Sequence, residues 1–166
     1  TALTEHFLAT YVETNYAEAE WAYMTGLLES SKNAIANAPV KADVEAAYEA
    51  AVEAFAAVPT KDVVAANIDT WKMEAKTEIM MYKDKTLYRE AEQATIQSII
   101  DATKESVNAA TSWIAIQTAM TNAKAQMDAL WTAEKWDAAE MAVVIAKQDL
   151  MTYKSQADYE AAEWTK

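Results

Sequence analysis

The chain has no cysteine, one glycine (Gly26) and two prolines (Pro39 and Pro59) in 166 residues. Without thiols there are no disulfides, thiolate metal sites or cysteine nucleophiles, a composition that suits a reducing cytosol and a thiol-free export route equally. Sheet proteins need turn residues every ~8–12 positions, so these few breakers all but exclude an all-β or doubly wound α/β fold. A single glycine also removes the loops in which several glycines let backbone approach phosphate, and with them the common nucleotide folds. Arginine is equally scarce, Arg89 alone being available for bidentate phosphate contacts. Acids outnumber bases 26 to 14, and the formal charge of −12 repels nucleic acid and anionic lipid while favouring solubility. The longest apolar run, residues 141–146, has six members against the ~20 that a spanning helix requires, so no membrane span is expected. No basic-then-apolar leader opens the sequence, which fits a mature form, a cytosolic protein or an excised segment.

What the chain has in quantity is alanine, 37 residues, arranged with a period of 71 to 72. Leu8, Tyr11, Tyr16, Ala19 and Glu20 recur as Ile79, Tyr82, Tyr88, Ala91 and Glu92, and again as Leu150, Tyr153, Tyr159, Ala162 and Glu163. Further on, Met24, Leu28, Lys32 and Ile35 meet Ile96, Ile100, Lys104 and Val107, while Val44, Tyr48, Ala51, Phe55 and Val58 meet Ile116, Met120, Ala123, Met127 and Leu130. A period of this length means a tandem array of small modules. The last set falls at helical spacing on one face, which predicts a third helix in each module. The segments 16–38 and 88–110 predict a second, and 61–82, free of glycine and proline, a first that is cut short in the N-terminal copy. The expected fold is all-α: tandem three-helix bundles in an elongated array, with modules at 1–60 and 61–132 and a partial third at 133–166. Pro39 stops helix two of the first module, Thr111 and Ser112 take that place in the second, and Thr60 and Thr132 are expected N-caps at the junctions.

The series Leu-x-x-Tyr, a second Tyr, Ala-Glu, a Lys-x-x-Ile/Val helix and a Val/Ile-x-x-Ala-Tyr/Met helix ending in Thr, as carried by Leu8 to Thr60, resembles FIVAR, the three-helix modules of Gram-positive surface proteins, with GA-type modules as relatives. The resemblance implies an extracellular or cell-wall location, a role as spacer or weak binder of a glycan or a host or cell-surface protein, and no active site. Cytoplasmic residence stays open on composition alone. A ten-residue stretch from Tyr16 to Thr25 is similar to the N-terminal helix of angiotensin-converting metallopeptidases, whose zinc motif the chain lacks.

No catalytic, cofactor-binding or metal-binding residue is assigned. His6, the only histidine, is expected as a solvated residue, and acids such as Glu18 and Glu20 are expected on a solvated helical face with lysines a turn away, as in Glu29 with Lys32 or Asp101 with Lys104. The tyrosine pairs and the methionines read as packing. Tryptophan departs from the period: Trp113 stands opposite Lys41, Trp131 opposite Pro59, and Trp21 opposite Gln93. Sites that accept Lys, Pro or Gln in a sister position are expected to be exposed, which makes Trp21, Trp113, Trp131 and Trp136 the candidate partner contacts, with packing between modules as the competing role. An exposed Trp113 replaced by alanine would change stability by less than about 1 kcal/mol. The expected function is a non-enzymatic, semi-rigid surface spacer. Two other readings compete with it: an amphipathic helical protein active at lipid interfaces, and a head-to-tail self-associating filament subunit whose third module needs cover.

Overall fold

The computed structural model describes residues 2–153, all of whose regular structure is helical, with no strand among them. Seven α-helices follow in order: α1 (Ala2–Thr10), α2 (Glu18–Asn37), α3 (Lys41–Ala56), α4 (Lys61–Met81), α5 (Glu90–Ala109), α6 (Trp113–Asp128) and α7 (Ala133–Thr152). Short 3-10 turns at Glu13–Asn15 and Lys85–Leu87 lead into α2 and α5. The first of these turns, and each helix from α2 to α4, has a counterpart starting 72 residues on. Tyr159, Ala162, Glu163 and Trp164 lie outside the described residues.

Helix boundaries follow the chain chemistry. Ala38, ahead of Pro39, turns to an extended conformation and closes α2. Ser112 Oγ accepts from Ala115 N at 3.2 Å and Thr132 Oγ1 from Lys135 N at 3.3 Å, so both hydroxyls cap as expected. Thr60 occupies the same position ahead of α4 but its side chain makes no cap bond. Helix two starts two residues later than the tyrosines suggest, because Tyr16 and Ala17 are extended after the 3-10 turn.

Two apolar clusters organise the helices. The first gathers Leu3, Phe7, Met24, Leu28, Ala51 and Phe55 from α1, α2 and α3, and Val58 from just beyond α3. The second gathers Ala75 and Ile79 of α4, Ile96, Ile100 and Val107 of α5, and Ile116, Met120 and Met127 of α6, with Tyr88. Their chemistry differs. In the first, rings supply the volume: Phe7 stands 5.0 Å from Phe55 and 5.4 Å from Trp21, and Tyr11 lies 5.8 Å from Phe55. Edge-on and tilted aromatic pairs of this kind add attraction beyond the area they bury. In the second, β-branched and thioether side chains fill the centre.

The first helix corrects the alignment. Leu8, matched with buried Ile79 through the Leu-x-x-Tyr series, is 69% exposed, whereas Phe7 is 1% exposed. An unbroken offset of 72 pairs Phe7 with Ile79 and Leu3 with Ala75, all buried, and leaves Leu8 opposite exposed Met80. His6 is also not a solvated residue: it is half-buried, its ring edge-on to Tyr11 at 6.4 Å and Tyr48 at 6.2 Å, with Nε2 buried.

The ends of α4 and α6 are tied by charge. Tyr82 OH donates to Asp128 Oδ2 at 2.8 Å, Lys83 Nζ reaches Asp128 Oδ1 at 2.5 Å, and Lys124 pairs with Glu78. Hydrogen bonds from Lys83, then from Tyr82, hold the Asp128 carboxyl below the usual carboxylate range. A carboxylate lowered in the folded state stabilises fully above its unfolded value of ~3.9 and loses that contribution as pH falls through the folded value. The expectation is a carboxyl titration of Asp128, followed by NMR, with its midpoint below that of an exposed aspartate, and an acid limb of the stability curve that is shallower in Asp128→Asn. An ordinary Asp128 midpoint would show that the contact does not persist in solution.

Gly26 gives a second expectation. It lies inside α2, its φ is negative, and a Cβ built there meets nothing within 4 Å. Gly26→Ala therefore stabilises by about 0.5–1 kcal/mol through backbone entropy, read as a rise in the urea midpoint at constant slope.

Candidate functional site

The tryptophans and their polar neighbours gather at two places where one helical group meets the next. At the first, α6 presents its N-terminus to the start of α2. Trp113, the first residue of α6, is half-buried and packs on the first cluster rather than on the second, with Tyr23 edge-on at 6.5 Å. Glu20, in the first turn of α2, is fully buried. Its Oε1 accepts from Ile114 N at 3.3 Å, while Oε2 is buried without a hydrogen-bond partner. A carboxylate at a helix N-terminus satisfies an orphan N–H and meets the positive end of the helix dipole, so Glu20 caps a helix 94 residues away. This corrects the expectation of a solvated face for Glu20. Its neighbour Glu18 is exposed. The Glu29–Lys32 pair forms at 2.8 Å, whereas Asp101 accepts from Gln97 at 3.0 Å.

The second place repeats the theme with other partners. Glu92, 72 residues after Glu20, accepts from Trp136 Nε1 at 3.0 Å through Oε1, and its Oε2 is likewise buried without a partner. Arg89 forks between Asp137 and Glu140 of α7, 2.6 Å from each, and lies over the Trp136 ring at 5.6 Å. The guanidinium in turn holds the Glu140 carboxyl below its ordinary range. Trp131 packs against Trp136 with centroids 4.8 Å apart and carries Lys135 Nζ over its ring at 4.6 Å, a cation–π contact.

The four candidate tryptophans thus divide. Trp21 stacks on Tyr16 at 6.0 Å inside the first cluster and, with Trp113, belongs to the packing of the first joint. Trp131 and Trp136 come together at the second joint, where Trp131, 36% exposed, has the most accessible ring of the two. Glu20 and Glu92 were missed as functional residues, although their recurrence after an alanine in each period was the available signal. Chemically the arrangement immobilises helices against one another; among the described residues no group of three or more His, Asp or Glu side chains could hold a metal ion. No helix among them is long and apolar enough to cross a membrane.

No protein-family model matches the chain, no curated protein matches it, and no solved structure matches it.

The burial at the first joint predicts substantial losses. Glu20→Ala leaves the Ile114 N–H without its acceptor, beside the Ser112 cap that remains, and costs about 1–2 kcal/mol. Trp113→Ala, which was expected to be nearly neutral, costs more than about 1 kcal/mol because it opens the packed joint. Denaturant melts check both, and a neutral Trp113→Ala would place the indole in solvent.

Proposed function

We propose that the chain is a non-enzymatic structural segment, two three-helix units in tandem (residues 1–60 and 61–132) followed by the start of a third, which holds its ends at a fixed separation. The observation that carries this reading is the first joint. Trp113 leaves its own unit to pack on the neighbouring core, and Glu20 is buried to cap the same helix. A linker alone would not do this. The coincidence of helix starts at an offset of 72 supports the tandem reading, and the short Thr60 and Thr132 junctions leave no flexible glycine- or serine-rich tether. In the setting that the FIVAR resemblance implies, such a rod spaces a surface protein from the bacterial wall. Weak recognition of a glycan or of another surface protein then falls to the Trp131 side of the second joint, where an accessible indole and Lys135 lie together.

Rigidity is the property to test. Spin labels at Glu49→Cys on α3 and Ser98→Cys on α5, both exposed positions in a chain with no other cysteine, should give one narrow distance distribution by pulsed electron resonance. Adding Glu20→Ala should broaden it. A broad distribution in the parent would overturn the spacer reading.

A further inference from the structure

Helices α4 and α6 enclose a cavity of ≈ 200 Å³ along their seam. The Tyr82–Asp128 and Glu78–Lys124 contacts both join residues 46 apart, so the two helices run parallel in a constant register. That register sets Glu74 opposite Met120, and Trp71 opposite Gln117, one turn beyond Trp113. Both indoles line the cavity and are half-buried, Trp71 packing on the second core and Trp113 on the first. The floor is formed by Ala75, Ile116 and Met120, all buried. Ala75 stands 72 residues after Leu3, and the smaller side chain leaves the floor open. Glu74 and Glu78 line the same space from α4, and both are exposed, at its mouth.

Elsewhere in α4 to α7, rings beside carboxylates are met by cations of the chain itself. Tyr82 carries Lys83 at 5.1 Å and Lys124 at 5.4 Å, and Trp136 carries Arg89 at 5.6 Å. Each of these cations is also paired with an acid: Lys83 with Asp128, Lys124 with Glu78, and Arg89 with Asp137 and Glu140. Trp71, Trp113 and Glu74 supply the rings and the carboxylate without the cation. Glu74 makes no ion pair among the described residues. The lysines that flank it on α4 are turned to another helix, Lys72 to Asn108 O and Lys76 to Asn108 Oδ1. Glu74 and Glu78 are moreover like charges one turn apart, a destabilising pair, and Lys124 relieves Glu78 alone.

We infer that the α4–α6 cavity binds the trimethylammonium group of a small, choline-type molecule. Two indoles and an uncompensated carboxylate around one space select a cation. The floor then selects its kind. Ala75, Ile116 and Met120 carry no strong acceptor, so a primary ammonium seated there strands N–H donors. A quaternary ammonium has no donor to satisfy: its methyl groups rest on the floor, and its charge meets the rings and Glu74. The size agrees, because pockets for drug-sized ligands start at about 300 Å³, and this smaller one takes a head group rather than an extended peptide. The site lies within the α4–α6 pair, apart from the Trp131 side of the second joint, and does not depend on the tandem reading.

Choline chloride titrated into the isotope-labelled full chain at constant ionic strength tests it by NMR. The indole N–H signals of Trp71 and Trp113 should move together along one saturable curve, with a dissociation constant on the order of millimolar. Those of Trp131 and Trp136, which hold cations of their own, should stay in place. Dimethylbutanol, the neutral carbon isostere of choline, should bind about fivefold more weakly or worse. Glu74→Gln, at an exposed position, should keep the melting temperature and weaken choline about threefold. Ala75→Leu should fill the floor and remove binding while the helical signal remains. An absence of any saturable shift in the parent chain would overturn the site. Equal binding of dimethylbutanol would overturn it by showing that charge is not read. A lysine amide that binds as tightly as choline would overturn it in favour of a docking point for a partner's side chain. Capture by phosphatidylcholine vesicles with no response to free choline would overturn it in favour of a lipid surface.

Discussion

The buried carboxylate of Glu20 is the constraint on which the arrangement of the two helical groups depends. A glutamate removed from water needs a donor or a positive field, and a helix N-terminus provides both. Burying Glu20 in the first turn of α2 thus fixes where α6 must begin, and with α6 in place Trp113 has nowhere to go but onto the first core. Neither core could move far without exposing an indole and stranding a charge. At the second joint the same position, Glu92, is spent on the Trp136 indole N–H, and the side chains of Arg89, Asp137 and Glu140 complete the anchorage of α7.

The two cores show how one plan accepts different contents. Helix α1, with nine residues, offers little length, and the first core compensates with rings: Phe7, Tyr11, Trp21 and Phe55 occupy the space that aliphatic side chains from a 21-residue α4 fill in the second. The ring cluster leaves His6 and Tyr48 at its margin, and the cavity beside Leu3 marks where the rings do not reach. The second core buries Val107 fully and is bound at its rim by the contacts of Tyr82, Lys83 and Asp128, whose counterparts in the first group include Ala56.

The all-helical fold, the helix order and most helix starts were legible in the sequence, because alanine-rich segments with apolar residues at steps of three and four leave the chain few alternatives. The register of α1 was not. Phe7 and Leu8 are adjacent and both apolar, and a period of 3.6 does not choose between neighbours; the choice is made by how α1 rolls against Met24 and Phe55, which is tertiary information. The site was less legible than the fold. Trp113 stands opposite Lys41 and so looked exposed, yet a residue that faces a neighbouring core obeys that core's demands and not those of its own helix. Glu20 carries charge, which any one-dimensional pattern assigns to solvent, and its burial depends on a backbone N–H 94 residues away.

That separation has a mechanical side. The Glu20–Ile114 hydrogen bond and the Trp113 packing form a non-covalent shortcut across the whole chain segment between them. Tension applied outside that segment passes through the shortcut while it holds, so α3, α4 and α5 carry no load until it breaks. Rupture then passes the load to the chain between, whose helices are drawn out only as the two cores that hold them unfold. The joint acts as a fuse set in parallel with its own tether, the first contact to give under pull, with the two cores yielding after it.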